Sequence, residues 1–261
     1  MEDILQTIVA HKRREVALHI AHTPLETMRA RAEAVDRPTV SMSLALKASS
    51  TGIIAEFKRR SPSKGWIARY AHPSDVAAAY ERSGATAMSI LTDGEFFGGG
   101  VSDLTAARAV TTLPLLRKEF IVHEYQIYEA RAVGADAVLL IASVLTPEEC
   151  RHLTDTAHAL GLETLLEIHS TDEIGHILPD TDMIGVNNRH LGTFHTDTEV
   201  SFTMADKLPH DRVLVSESGI SSAETIRRLR EAGFAGFLIG ETFMKCEDPS
   251  QALRQLIAQV Q

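Results

Sequence analysis

The chain opens with apolar residues at helical spacing. Ile4, Leu5, Ile8, Val9, Val16 and Ile20 fall on one stripe over residues 3–21. Lys12, Arg13 and Arg14 interrupt that stripe and are expected in solvent. Thr23-Pro24 reads as a second helix start, with Thr23 at the N-cap and Pro24 at the first position. Residues 43–48 predict a third, short helix. Together these make a helical preface of residues 1 to about 50.

From residue 53 the pattern becomes periodic. Short apolar, β-rich runs occur at 53–57, 87–91, 113–117, 137–141, 164–168, 183–186, 213–215 and 237–239. Helical stretches lie between them, as at 73–83, 123–133, 147–160, 222–232 and 249–260. A spacing of roughly 20 to 30 residues suits a strand plus a crossover helix. Gly84, Gly134, Gly161 and Gly233 stand where helices should stop. Eight such units in series predict an α/β fold, a single (β/α)8 barrel over residues 1–261, with 1–50 as a helical extension packed on it. A doubly wound open sheet is the structural alternative.

Composition narrows the function classes. The chain has 261 residues, 44% hydrophobic and 23% charged, as expected of an ordinary globular protein. No run approaches the ~18 apolar residues of a membrane span. The charged, amphipathic start has no signal-peptide core, so a cytoplasmic location is expected. A net charge of −9 argues against general nucleic-acid binding. Cys150 and Cys246 have no metal spacing, and no metal site is indicated.

In a (β/α)8 barrel the chemistry sits at the C-terminal strand ends. Those ends carry Glu56 and Lys58, Thr92-Asp93, Lys118, Ala142-Ser143, Glu167, Asn187 and Arg189, Ser216 to Ser218, and Gly240. Glu56 and Lys58 are two apart and share one face, as do Asn187 and Arg189. One such pair alone is an ordinary strand-end ion pair. A ring of two lysines, an arginine, an asparagine and two glutamates would have to neutralise itself completely or meet a ligand. The last two ends, Ser216-Glu217-Ser218-Gly219-Ile220 and Ile239-Gly240-Glu241, stand where such barrels hold phosphate. Hydroxyls, glycine N–H groups and helix starts supply the donors there. At Gly240 a missing side chain would let backbone approach the ligand.

Several of these segments resemble indole-3-glycerol phosphate synthase. They are Ile54-Ala55-Glu56-Phe57-Lys58, Ser61-Pro62-Ser63-Lys64-Gly65, Leu116-Arg117-Lys118-Glu119-Phe120-Ile121, residues 125–131, Gly185-Val186-Asn187-Asn188-Arg189 and Ser216-Glu217-Ser218-Gly219-Ile220. The resemblance runs nearly end to end. It implies closure of an indole ring from 1-(2-carboxyphenylamino)-1-deoxyribulose 5-phosphate, with loss of carbon dioxide and water and without metal or organic cofactor. It also implies roles. Lys118 would be the general acid toward the carbonyl, and Glu167 the acid–base partner in dehydration. Lys58 would sit near the phosphate and reacting centre, oriented by Glu56. Asn187, Arg189 and Ser61 would contact the anthranilate carboxylate or its neighbours. Ser218, Gly219, Gly240 and Glu241 would hold the phosphate end, and Phe120, Leu139 and Ile141 would wall the aromatic ring. Glu119, His190 and Gly100 depart from the family's usual Asp, Asp and Ser.

Three other functions remain open at this point. One is a Schiff-base lyase using a strand-end lysine. Another is a phosphoribosyl anthranilate isomerase, which prefers a thiol and a carboxylate at strand ends. The third is a non-catalytic phosphosugar-binding barrel. The expected partner is a phosphorylated small molecule, with no nucleic acid and no membrane, and the protein is expected to be a monomer.

Overall fold

The computed structural model describes residues 4–190, 192 and 195–261. Eight parallel strands close into a barrel: β1 (Ile53–Phe57), β2 (Ala87–Leu91), β3 (Leu115–Lys118), β4 (Ala137–Ile141), β5 (Glu163–Ile168), β6 (Met183–Asn187), β7 (Val213–Glu217) and β8 (Phe234–Ile239). Closure is made by β1 against β8, with Ile53 opposite Phe237 and Ala55 opposite Ile239. The open-sheet alternative is thereby excluded.

Alternation sorts every strand into two files. Ile54, Leu116, Leu139, Ile141, Leu165, Met183, Val213, Val215 and Leu238 form one buried cluster inside the barrel. Ala55, Val138, Leu140, Leu166, Ile184 and Leu214 face outward, into the larger core under the surrounding helices. Following the inward files to the strand ends reaches Glu56, Lys118, Glu167, Gly185 and Asn187, Glu217 and Gly240. The polar ring is the continuation of the apolar interior by one or two residues.

Several boundaries differ from the sequence pattern. Pro114 cannot join the ladder through an N–H, so β3 starts at Leu115 and takes in Lys118 as its last residue. β6 runs on to Asn187 and β7 to Glu217. After β5 the connection carries only a 3₁₀ turn, Thr171–His176, where a full helix would be regular. Glycine stops behave as expected: Gly134 and Gly233 have φ of 95° and 99°.

The preface wraps the barrel from end to end. Helix α1 (Ile4–His22) borders the mouth, and α2 (Leu25–Glu33) packs beside α6 (Glu124–Ala132) through Met28, Ala32, Tyr125 and Tyr128. Pro24, not Thr23, is the N-cap of α2, with extended ψ and no side-chain cap. Helix α3 (Met42–Ala48) is capped by Ser41 and inserts Met42 and Leu46 into the barrel floor. Glu163 accepts hydrogen bonds from Ser41 Oγ, Ser43 N and Ser43 Oγ, which fixes that plug. Beside it, the fully buried Asp136 accepts from Arg37, Val40 N, Arg108 and Leu115 N, all at 2.8–2.9 Å.

Lys12 corrects the expectation of three solvated cations. Arg13 and Arg14 are exposed, but Lys12 is 2% exposed. Its ammonium meets Glu15 at 2.7 Å, Asp93 at 2.9 Å and Glu119 at 3.1 Å. Burial opposes its charge, yet Glu119 and Asp93 outweigh burial and hold its pKa above the ordinary lysine range. The helix stripe has a charged residue on its buried side because strand ends β2 and β3 present carboxylates there. Lys12→Met should therefore lower the urea-unfolding free energy by about 3–5 kcal/mol, the usual result of stranding a buried charge. It should also raise KM, since Ile4, Leu5 and Ile8 of the same helix line the mouth cavity. Arg13→Met should stay within ~0.5 kcal/mol of wild type. An unchanged unfolding midpoint in Lys12→Met would mean the ammonium does not seat α1.

Candidate active site

The mouth encloses a cavity of about 570 Å³. Of the residues nominated from sequence, Lys118, Glu167, Lys58, Glu56, Asn187, Phe120, Leu139, Ile141, Arg189, Ser218, Gly219, Gly240 and Glu241 all line it. Ser61 does not. It is buried in a small hairpin of Arg60–Ser61 with Gly65–Trp66, and its carbonyl accepts from Lys64 N. Pro62, Ser63 and Lys64 at the tip of that hairpin reach the cavity instead.

Charge is concentrated on the cavity floor. Lys118 Nζ donates to Glu167 Oε2 at 2.6 Å and lies 3.2 Å from Glu217 Oε2. Lys58 Nζ donates to Glu56 Oε1 at 2.6 Å. Burial disfavours the Lys118 charge, but Glu167, Glu217 and Glu56 together outweigh it and hold its pKa above the usual lysine range. The two carboxylates beside it are not equivalent. Burial would raise Glu167, yet Lys118 and then His169 overcome burial and hold it low. Glu217 is farther from Lys118; burial and the Glu167 charge push it up despite the lysine. The floor thus favours the charged forms of Lys118 and Glu167, while Glu217 is pushed toward its protonated form.

Glu217 escaped the sequence pattern as a chemical group. The apolar run stops at Val215, which leaves Glu217 in the expected phosphate loop. The signal available was the inward alternation Val213, Val215, Glu217. Two glycines make room for these carboxylates. A Cβ on Gly185 would lie 2.2 Å from Glu217 Oε1, and one on Gly240 would lie 2.3 Å from Glu56 Oε1. Gly240 is therefore a clearance for Glu56, in addition to lining the cavity.

The two ends of the cavity differ in chemistry. Leu139, Ile141, Phe120 and Phe97 make an apolar wall, with the two phenyl centroids 6.0 Å apart. Opposite, Ser218 and Gly219 both adopt left-handed φ, 67° and 78°. A left-handed serine is uncommon and costs on the order of 1–3 kcal/mol. Asn188, buried and also missed from sequence, holds it in place. Its Nδ2 donates to Ser216 Oγ and the Ser218 carbonyl, while its Oδ1 accepts from Ser201 N and Oγ. Arg189 stands at this end, with Nη2 3.4 Å from Glu241 Oε2 and its N–H donated to Asn187 Oδ1.

Among the described residues no group of three or more His, Cys, Asp or Glu is arranged to hold a metal ion. Cys150 is buried in α7 (Pro147–Ala159), its thiol pushed up to about 12 by burial and Glu149, and Cys246 is exposed. Neither lines the cavity. No described helix is long and apolar enough to cross a membrane.

Comparison with known proteins gives a consistent picture. The family model described as "Indole-3-glycerol phosphate synthase" matches residues 5–256. A protein of that name from Bacteroides thetaiotaomicron is 53% identical over 263 residues, covering 100% of both chains. Another, from Burkholderia cenocepacia, is 44% identical over 259 residues, covering 98% of this chain and 99% of the relative. Among solved structures, an N-acetylmannosamine-6-phosphate 2-epimerase from Clostridium perfringens superposes with TM-score 0.61 at 14% identity, over 86% of this chain and 99% of that one. A mutant tryptophan synthase alpha-subunit from Pyrococcus furiosus gives 0.59 at 14% identity, over 80% and 97%. These structural likenesses bear on the barrel fold alone.

The glycine clearances yield a test. Gly185→Ala should swing the Glu217 carboxylate away from Lys118. A displacement of about 1 Å at a reacting centre typically lowers turnover by ~10²-fold. We expect such a loss in kcat, measured beside the melting temperature of the same variant. Wild-type kcat in Gly185→Ala would show that the position of Glu217 is immaterial to turnover.

Proposed function

The chain belongs to the indole-3-glycerol phosphate synthase family, carboxy-lyases of tryptophan biosynthesis, and on that premise we propose how its mouth residues divide the work. The reaction closes a pyrrole ring on 1-(2-carboxyphenylamino)-1-deoxyribulose 5-phosphate, then expels carbon dioxide and water. Closure needs a proton delivered to the ketone oxygen as the ring carbon attacks. Lys118 delivers it: it is the cation at the centre of the floor, and a bound carbonyl can take the place of Glu167 at its ammonium. Decarboxylation then follows from recovery of aromaticity. Dehydration needs an acid at the new hydroxyl and a base for a proton, and Glu167 is that partner. Glu217, pushed toward its protonated form by burial and the Glu167 charge, is the second acid group within reach of Lys118.

Lys58, whose Nζ donates to Glu56 Oε1 at 2.6 Å, serves the reacting centre and the phosphate. Ser218, Gly219 and Gly240 grip the phosphate, with Glu241 holding Arg189 at the edge of that pocket. Asn187 and Arg189 face the anthranilate carboxylate. Ser61 acts one step removed, by holding the hairpin that presents Ser63 and Lys64. The apolar wall of Phe120, Leu139 and Ile141 takes the aromatic ring. Binding both anionic ends folds the flexible sugar chain over the ring, so remote binding energy is used at the reacting carbons. The finer parts of the proposal are a cytoplasmic enzyme acting as a monomer.

The observation that carries this reading is Lys118 held between Glu167 and Glu217 at the end of an apolar barrel interior. Incubation with the carboxyphenylamino-deoxyribulose phosphate should produce an indole absorbance. Lys118→Met should lower kcat by ~10²–10⁴-fold, the range for a lost acid–base group, with a much smaller change in KM. Lys118→Arg should not restore turnover, because a guanidinium does not release its proton. Borohydride with substrate should trap no adduct. A reduced adduct at Lys118 would replace proton transfer with imine chemistry.

A further inference from the structure

The inward file of β5 continues past Glu167 to His169. His169 lies behind the cavity, not on its surface. Its Nε2 is 3.3 Å from Glu167 Oε1, the oxygen that Lys118 does not use. Its Nδ1 is 3.6 Å from Glu173 Oε2, and that same oxygen accepts the His169 backbone N–H at 2.6 Å. Both ring nitrogens are buried in ion-pair range without completing a hydrogen bond. We propose that His169, steadied by Glu173, is a positioning residue that clamps Glu167 from behind and fixes which carboxylate edge faces the substrate. The proposal rests on Glu167 being the acid–base group of the family reaction.

The 3₁₀ turn after β5 is what makes the clamp. Thr171–His176 is wound tightly enough to return Glu173 over the strand end, four residues on from His169. His176 pins the turn to the preceding connection, through a ring nitrogen 2.9 Å from the Leu145 carbonyl. A regular crossover helix would carry its side chains outward along the barrel instead.

A histidine with a carboxylate at each nitrogen has only one comfortable charge state. Neutral imidazole must turn a lone pair toward one of the two anions, whereas imidazolium offers an N–H to each. The charged groups against it are Glu167, at the end of β5, and Glu173 on the turn; Lys118 on β3 and Glu217 on β7 act through Glu167. Burial opposes the imidazolium, but Glu167 and Glu173 overcome it and raise the pKa to about 9. Glu167 then has a cation on each oxygen, while Glu217 has one. This asymmetry favours the charged form of Glu167 over that of Glu217.

The sign of the pH dependence follows. The folded pKa of His169 lies above its unfolded value near 6.5. Its contribution to stability is complete below about 6.5 and is lost as pH rises through about 9. Melting curves of wild type and His169→Asn should differ most at pH 6 and converge above pH ~10.

The deciding experiment is a proton NMR titration of the His169 ring in the full chain, its signal identified by its absence in His169→Asn. A midpoint near 9 that falls by about one unit or more in Glu173→Gln supports the clamp. A midpoint near the unperturbed ~6.5, or one that Glu173→Gln does not move, overturns it. In parallel, kcat/KM of wild type should fall on the alkaline side as His169 loses its proton. Glu173→Gln should bring that limb toward neutrality with KM near wild type. A merely structural role would lower melting temperatures and leave the limb in place, and that result also overturns the proposal. Absence of any wild-type turnover would defeat the family reaction by itself, whereas the ring midpoint judges the clamp without reference to turnover.

Discussion

A lysine ammonium that leaves water must find its countercharge within the protein, and Lys118 finds two. The barrel depends on that meeting at its mouth. Eight inward files are apolar for most of their length, and those of β1, β3, β5 and β7 then deliver carboxylates and amines at the mouth. Without Glu167 and Glu217 the lysine would shed its proton; without the lysine Glu167 would take one up and Glu217 would be pushed further toward its protonated form. Such clusters add little to stability, since hydrophobic residues of equal volume pack as well. Their persistence here is explained by use. The clearances at Gly185 and Gly240 point the same way, because each omits a side chain beside an acid that an apolar mouth would not contain.

The preface solves a related problem at three places. At the mouth, Lys12 neutralises Asp93 and Glu119, and the helix that carries it lends Ile4, Leu5 and Ile8 to the cavity wall. Along the side, α2 covers the aromatic face of α6. At the floor, α3 closes the barrel with Met42 and Leu46, clasped by Glu163 and Asp136. One segment thereby joins the two faces of the barrel, the one that reacts and the one that only holds together.

Period-two alternation made most of this legible in the sequence. Ile54 predicts the direction of Glu56 and Lys58, Leu116 that of Lys118, and Leu165 that of Glu167. The family resemblance added roles to those positions. What could not be read was long-range. Lys12 falls on the stripe, four residues from both Ile8 and Val16, but its charge argues for solvent; what keeps it buried are carboxylates 81 and 107 residues away in the chain. His169 is silent for a similar reason, since its partner Glu173 returns only through a 3₁₀ turn that a helical pattern conceals. Ser61 erred in the other direction. Its spacing matches a substrate-facing loop, but the hairpin folds it inward and exposes its neighbours. Pro114 and Val215 misled the strand limits because ladder pairing, not hydrophobicity, sets where a strand ends.

Closure of the barrel has a consequence for the order of synthesis. Strand β1 pairs with β2 on one side, but its other edge waits for β8, with Ile53 opposite Phe237. Those partners are separated by about 180 residues, so at ~5–20 residues per second the edge of β1 stays unpaired for roughly 10–40 s on the ribosome. An open edge of Ile53, Ile54 and Ala55 is the kind of surface that recruits foreign strands. The plug helix α3 is made immediately before it and joins Ile54 in the interior cluster through Met42 and Leu46. The oldest part of the chain is thus the natural escort of the youngest exposed strand until the ring can shut.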